Sequence, residues 1–106
     1  MPKYLLEVSY TLDGVRGLLK DGGSRRRDVA TKLVESLGGR VESFYFVFGK
    51  EDVVVVADLP DNASAAAASL RVAASGAMAS QIRVLITPEE VDEAAKKQTT
   101  YTPPGS

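Results

Sequence analysis

The chain of 106 residues contains neither cysteine nor histidine. The thiolate and imidazole ligands on which structural zinc, haem and iron–sulfur sites mostly depend are therefore missing. Ser-His-Asp and Cys-His nucleophile systems are excluded for the same reason, because no imidazole can act as the general base. The sequence accordingly predicts no metal site and no cofactor, and it singles out no catalytic residue.

Long apolar runs are also missing. No stretch approaches the roughly eighteen apolar residues of a membrane-spanning helix, and the N-terminus has no apolar leader-like segment. The net charge is only -1, from 13 Lys and Arg against 14 Asp and Glu, so there is no overall positive field that would attract a phosphate backbone. We therefore expect a cytoplasmic protein that has neither a membrane nor a nucleic acid as its partner.

What is present is typical of one globular domain, with 44% hydrophobic and 25% charged residues. Period-two alternation and β-branched or aromatic residues predict strands at 4–10, 40–48, 52–59 and 81–87. Helical spacing and capping signals predict a short helical turn at 15–20 and helices at 24–37, 61–74 and 89–97, with Ser24 and either Asp61 or Asn62 as N-caps. The last residues, 98–106, are predicted to form an extended tail.

The order of these elements predicts an α+β fold. It is that of the ferredoxin-like βαββαβ unit, a four-stranded antiparallel sheet with its helices on one face, followed here by a short C-terminal helix and tail. Right-handed crossovers place the first and third strands in the centre of the sheet. We divide the chain into a ferredoxin-like domain at 1–88 and a C-terminal helix with an extended tail at 89–106.

Both faces of this sheet are predicted to be apolar. The third strand is apolar on both sides over residues 53–57, and neither face of the second strand is polar, since Phe44, Phe46 and Phe48 alternate with Ser43, Tyr45 and Val47. Two helices can cover only one face, so we expect a homo-oligomer in which a second copy covers the other. The alternative is a monomer whose second face is kept hydrated by Glu7, Ser9, Ser43 and Arg83.

Two charged residues are predicted to meet on that second face. Alternation places Glu7 on the first strand and Arg83 on the fourth strand away from the helices, and these strands are antiparallel neighbours in the predicted order. If a second copy covers them, an unpaired charge would be costly, so we expect each to pair with the other or with a polar group of the partner. A buried ion pair that fixes the register is favoured over a polar functional site.

Several short motifs give the chain a family resemblance. They are the hairpin run from Phe44 to Val55, the opening run from Tyr4 to Thr11 with Gly14 following, the helix stop Leu37-Gly38-Gly39, the strand exit Leu59-Pro60-Asp61 and the closing Tyr101-Thr102-Pro103-Pro104-Gly105. In their order and spacing they resemble the GYD-domain family along nearly the whole chain. The chain departs from the family at the name-giving tyrosine, where Lys50-Glu51 stands, so that Gly49 and Asp52 alone carry over. The resemblance implies a relation to dimeric α+β barrels, whose paired ferredoxin-like sheets enclose an interior, and implies no particular activity.

Four residues are candidates for binding a small molecule. Gly49 could let a ligand approach the hairpin backbone and Asp52 could accept hydrogen bonds from it, while Tyr10 and Tyr45 offer phenol groups. The structural alternative is turn chemistry, in which Gly49 supplies a positive φ and Asp52 bonds to backbone amides. On that alternative Gly49→Val should destabilise the hairpin by about 1 kcal/mol or more.

Other polar residues are assigned structural roles. The run Arg25-Arg26-Arg27 is interpreted as a solvated helix face, and Arg16 and Arg71 as surface or packing residues. The Ala-rich helix carries no chemistry, but its small side chains could leave space for a pocket.

Two functions from different classes fit these observations. The first is a non-enzymatic oligomeric module that binds a small molecule or a protein partner. The second is a cofactor-free enzyme, similar to small monooxygenases or isomerases on dimeric α+β barrels, in which a tyrosine, Asp52 or an arginine polarises the substrate. A closed apolar cavity with converging polar groups would favour the enzyme.

Overall fold

The computed structural model describes residues 1–47 and 49–106. Its strands are β1 (Lys3–Tyr10), β2 (Arg40–Phe46), β3 (Val53–Asp58) and β4 (Met78–Leu85). Its helices are α1 (Leu12–Asp21), α2 (Gly23–Ser36), α3 (Asn62–Ala74) and α4 (Pro88–Lys96).

The strands form one antiparallel sheet in the order β2-β3-β1-β4. This order confirms the predicted α+β, ferredoxin-like arrangement with β1 and β3 in the centre. On β1, Leu6 lies opposite Val55 of β3 on one side and Ile82 of β4 on the other. The pairing of β2 with β3 shifts register between Val41 and Ser43, which places a bulge in this edge strand.

The hydrophobic core lies between the sheet and the helices α2 and α3. Alternation buries Tyr4, Leu6 and Val8 of β1 on this side and leaves the residues between them only half-buried on the other. The remaining core members are Val34, Val53, Val55, Ala57, Leu59 and Ala65. A buried phenol is costly unless it is hydrogen-bonded, and the Tyr4 hydroxyl donates to Oδ1 of Asn62 at 2.7 Å. The first turn of α3 is thereby fastened to the centre of the sheet.

Several element boundaries differ from the predicted ones. Helix α1 has ten residues rather than one short turn, and α2 follows it after Gly22, whose φ of 83° turns the chain sharply. Ser24 is therefore not the N-cap; it already lies inside α2. Strand β4 starts at Met78 rather than at residue 81, because Met78 pairs with Tyr10 at the end of β1. Phe48, which we predicted to be the last residue of the second strand, lies outside the described residues.

Gly49 is exposed in the connection between β2 and β3. A Cβ built on it meets no heavy atom of the described residues within 4 Å, so a larger side chain has space there. The destabilisation expected of Gly49→Val therefore depends on the backbone conformation of this residue alone. It stays a prediction, which urea denaturation of the variant measures.

The C-terminal part of the chain projects from the domain. Helix α4 begins with a reciprocal capping box between Thr87 and Glu90, and all residues from Ile86 to Ser106 are exposed. The molecule accordingly measures 57 × 33 × 23 Å. Among the helices of the described residues, none is long and apolar enough to cross a membrane.

Two glycines of α1 give a test of the packing. A Cβ on Gly14 would collide with the carbonyl oxygen of Ala77 and lie 2.8 Å from Cδ1 of Tyr10, whereas a Cβ on Gly17 meets no described atom within 4 Å. We expect Gly14→Ala to lower the free energy of unfolding by about 1–3 kcal/mol through overpacking. The matched change Gly17→Ala should raise it by about 0.5–1 kcal/mol, since alanine favours the helix. Urea denaturation of both variants measures this, and equal effects would contradict the close approach of α1 to the start of β4.

Candidate functional site

An apolar cavity of about 360 Å³ lies between the helices and the sheet. Helix α2 packs over the edge strand β2 and helix α3 over the opposite edge strand β4, which leaves space above the two central strands. The sheet supplies the floor with Leu6, Val8, Val53 and Val55, and Phe44 of β2 closes one side. The cavity is therefore an extension of the hydrophobic core that side chains do not fill.

Small residues on the two helices leave this space open. Ala30 of α2 and Ala68 of α3 line the cavity, and leucine or phenylalanine at either position would extend into it. Ala65, Ala68 and Val72 are spaced by three and four residues, so they form one narrow apolar stripe of α3 that faces the sheet. The Ala-rich helix thus does leave room for a pocket, as its composition suggests.

Polar groups lie at one end of the cavity. There β1 ends at Tyr10 and β4 begins at Met78, and both residues line the cavity with Arg26, Arg71 and Ser75. The guanidinium of Arg26 reaches from α2 across the end of the sheet, so that its Nη2 lies 4.0 Å from Sδ of Met78. Both charged residues of the lining are arginines, and this end of the cavity is therefore electropositive.

Helical periodicity explains why these arginines reach the cavity. Arg26 shares a face of α2 with Val29, Ala30 and Leu33, at intervals of three, four and seven residues. Arg71 lies on α3 with Ala68 three residues before it and Ser75 four residues after it. Arg26 is half-buried, whereas Arg25 and Arg27 beside it are exposed. The arginine run is therefore a solvated face only in part.

The four candidate ligand residues do not form one site. Tyr10 lines the helix-side cavity, whereas Tyr45 pairs with Val54 on the opposite face of the sheet and is 69% exposed. Gly49 is exposed in the β2–β3 connection. Asp52 accepts a hydrogen bond from the backbone N–H of Tyr10 at 2.7 Å, and its own N–H donates to the Val8 carbonyl at 2.8 Å. The structure brings Asp52 and Tyr10 together through a contact of the Asp52 carboxylate with the backbone of Tyr10.

Glu7 and Arg83 meet on the face of the sheet that the helices do not cover, which we call the open face. Nε of Arg83 lies 3.0 Å from Oε1 of Glu7, with the side chains 61% and 15% exposed, respectively. Within the described part of the chain this Oε1 is buried and has no well-aligned hydrogen bond. The contact is therefore an ion pair whose carboxylate has unused acceptor capacity.

A second charged cluster on the open face centres on Asp58. Lys3 donates to its Oδ1 at 2.9 Å and Arg40 to its Oδ2 at 3.2 Å, while Lys3 also lies 3.4 Å from Glu42. The hydrogen bonds from Lys3 and from Arg40 hold the pKa of the Asp58 carboxyl below its usual 3.8, although burial acts in the opposite direction. The hydrogen bond to Asp58 likewise raises the pKa of the Lys3 ammonium above 10.5. This cluster ties three neighbouring strands together at one end of the sheet.

The fold and the cavity define a class of protein: a single ferredoxin-like sheet with helices on one face and an unfilled apolar space beneath them. A family model confirms the resemblance in the sequence, since the GYD domain model matches residues 4–95. The chain belongs to the GYD-domain family. No curated protein matches it.

The sequence analysis missed Arg26 and Arg71 as site residues and Asp58 as the centre of a charge cluster. For the two arginines a signal exists, because each falls on the apolar stripe of its helix. For Asp58 the signal is its position directly after four valines and an alanine. It is the one charged residue of the central strand β3. Its partners Lys3 and Arg40 depend on strand register, which the sequence pattern leaves open.

The Asp58 cluster predicts a defined acid response. Because the pKa of Asp58 is lower folded than unfolded, it stabilises the protein above about pH 4, and this contribution is lost as the pH falls through the folded pKa. Asp58→Asn should therefore be less stable at neutral pH and lose less of its unfolding free energy between about pH 5 and pH 2. The control Asp92→Asn, at an exposed residue of α4, should follow the wild type. Parallel pH profiles for all three proteins in urea denaturation would contradict the role of Asp58.

Proposed function

We propose that the protein is a self-associating, non-enzymatic binding protein that holds a small molecule in the cavity between α2, α3 and the sheet. The cavity carries the proposal. Its volume of about 360 Å³ falls in the range of about 300–1,000 Å³ typical of small-molecule sites. The lining of the cavity is also typical of small-molecule sites, since it has an apolar wall and a few polar groups at one end.

Binding is favoured over catalysis by the chemistry of the lining. Its polar groups are two guanidinium groups and the hydroxyls of Tyr10 and Ser75, none of which is a general base near neutral pH. The Ser75 hydroxyl is also engaged, since it donates to the Val72 carbonyl at 2.7 Å. The carboxylate of Asp52, a candidate ligand-binding residue from the sequence, already accepts a hydrogen bond from the Tyr10 amide. A cofactor-free enzyme would have to rely on Tyr10 and an arginine alone.

A second copy of the chain is the proposed partner for the open face. Its middle is apolar, with Leu5, Val54 and Val56 half-buried and the Tyr45 ring exposed beside them. Around this middle stand three cations, Lys3, Arg40 and Arg83, and three anions, Glu7, Glu42 and Asp58. A face with equal numbers of both charges can match its own copy across a two-fold axis. Two sheets packed in this way would enclose an interior, as in a dimeric α+β barrel.

The ligand proposal is tested by native mass spectrometry of the protein purified from its own source. We expect a retained small molecule in the wild type and its loss in Ala30→Leu, because the half-buried Ala30 lines the cavity and the larger side chain occupies it. Ala73→Leu, an exposed position on α3, is the control and should retain the molecule. Equal retention by both variants would contradict binding in this cavity, and a bare chain in the wild type would contradict the proposed function.

Self-association is tested by light scattering at micromolar concentration. We expect an oligomer for the wild type and a shift to monomer for Tyr45→Glu, since the added carboxylate would be desolvated in the middle of the interface. Leu19→Glu changes another exposed apolar residue, 81% exposed on α1, and should leave the oligomer intact. A monomeric wild type, or the same shift in both variants, would overturn the assignment of the open face.

A further inference from the structure

We propose that the ligand of the helix-side cavity is an organic acid: a carboxylate bound by Arg26, with support from Arg71, whose apolar body lies on the floor formed by β1 and β3. This inference rests on the proposed function and specifies the chemical class of the ligand. It comes from the electrostatics of the cavity end rather than from the apolar wall.

The guanidinium of Arg26 has unused hydrogen-bonding capacity. It is half-buried, and its hydrogen-bond partner among the described side chains is the thioether of Met78 at 4.0 Å. A guanidinium carries five N–H donors, and a thioether sulfur is a weak acceptor. A partly desolvated charge is costly when it is not paired. A carboxylate at this position would supply two oxygen acceptors in the geometry that a guanidinium binds best.

Among the described residues, no carboxylate takes that position. The lining contains arginines but neither aspartate nor glutamate. Among the ion pairs of the described residues, those of arginine involve Arg27, Arg40 and Arg83 rather than Arg26 or Arg71. Within the part of the chain that the structure describes, no ion pair therefore neutralises the positive charge at the cavity end. This is the charge complementarity that selects an anion over a neutral or cationic molecule.

The two arginines are not equivalent. Arg26 stands in the first turn of α2, where no side chain caps the helix and the partial positive charge of the helix end also favours an anion. Arg71 is exposed and lies in the last turn of α3, where its charge also offsets the partial negative charge of that helix end. We therefore assign Arg26 as the main carboxylate contact and Arg71 as the weaker one.

The rest of the ligand must be apolar. Beyond the polar end, the cavity is bounded by aliphatic side chains and Phe44, which offer no hydrogen-bond partner to a polar body. A head group without an apolar part would gain only the charge contact, in competition with water. Acetate should therefore bind far more weakly than an acid with a phenyl or alkyl body.

Met78 provides a local reporter for this binding. The chain has two methionines, of which Met78 lines the cavity beside Arg26 and Met1 is 69% exposed at the N-terminus. With ¹³C-methyl methionine, an NMR titration therefore yields one signal in the site and one internal reference. The probes are 4-phenylbutanoate, the neutral 4-phenylbutanamide and acetate, each added to the full-length protein.

We expect 4-phenylbutanoate to shift the Met78 signal and to bind at least about tenfold more tightly than the amide, as one charge-assisted contact implies. Arg26→Gln should reduce this preference to about twofold, and Arg71→Gln should reduce it less. Arg25→Gln removes a neighbouring arginine that does not line the cavity and should leave the preference unchanged. The Met1 signal should stay in place throughout.

The outcomes separate the two proposals. If the acid and the amide shift the Met78 signal with equal affinity, the cavity binds small molecules but does not select acids, and this inference fails alone. The same holds if Arg25→Gln reduces the preference as much as Arg26→Gln. If neither compound shifts the Met78 signal, the cavity does not admit an apolar body of this size and the proposed function fails with it.

Discussion

The structure depends on one constraint: the alternation of apolar and polar side chains along β1, which lies between two antiparallel strands. Because β1 is central, its residues from Lys3 to Val8 each have a partner on both β3 and β4. The alternation of β1 therefore decides which side chains of all three strands face the helices. Tyr4, Leu6 and Val8 lie on the side of the sheet that forms the hydrophobic core. Glu7 and the residues that alternate with it lie on the open face. The cavity and the charge clusters are consequences of this single division.

The two sides differ in how their polar groups are satisfied. On the open face charges of opposite sign are paired within the chain, as Glu7 is with Arg83 and Asp58 is with Lys3. On the helix side, the hydrogen-bond partner of Arg26 among the described side chains is the thioether of Met78. A surface whose charges are already paired favours a self-complementary partner, whereas an unneutralised cation beside an apolar space favours a small anion. The proposed assembly and the proposed ligand site therefore lie on opposite faces of the same sheet.

The fold could be predicted from the sequence because its signals are local. Period-two alternation, the glycine stops and the Asp61 cap each act within a few residues, and Asp61 does cap α3 by accepting from the Ser64 amide. The candidate site was harder to predict because it depends on distances between elements. The Arg26 side chain lies near Met78, 52 positions away in sequence, and only the crossing of α2 over the sheet brings them together.

The hairpin that carries the family signature contributes to the cavity indirectly. Asp52 binds the amide of Tyr10, which fixes the end of β1 at the point where the tyrosine ring enters the cavity lining. The next residue, Thr11, caps α1 and bonds to the Ala77 carbonyl at the start of β4. The polar end of the cavity is thus held by hydrogen bonds to the main chain from the hairpin, from the start of α1 and from β4. An aspartate at this place is accounted for by that positioning. Lys50 adds a longer contact to the same strand end, since its carbonyl accepts a hydrogen bond from the Ser9 hydroxyl at 3.4 Å.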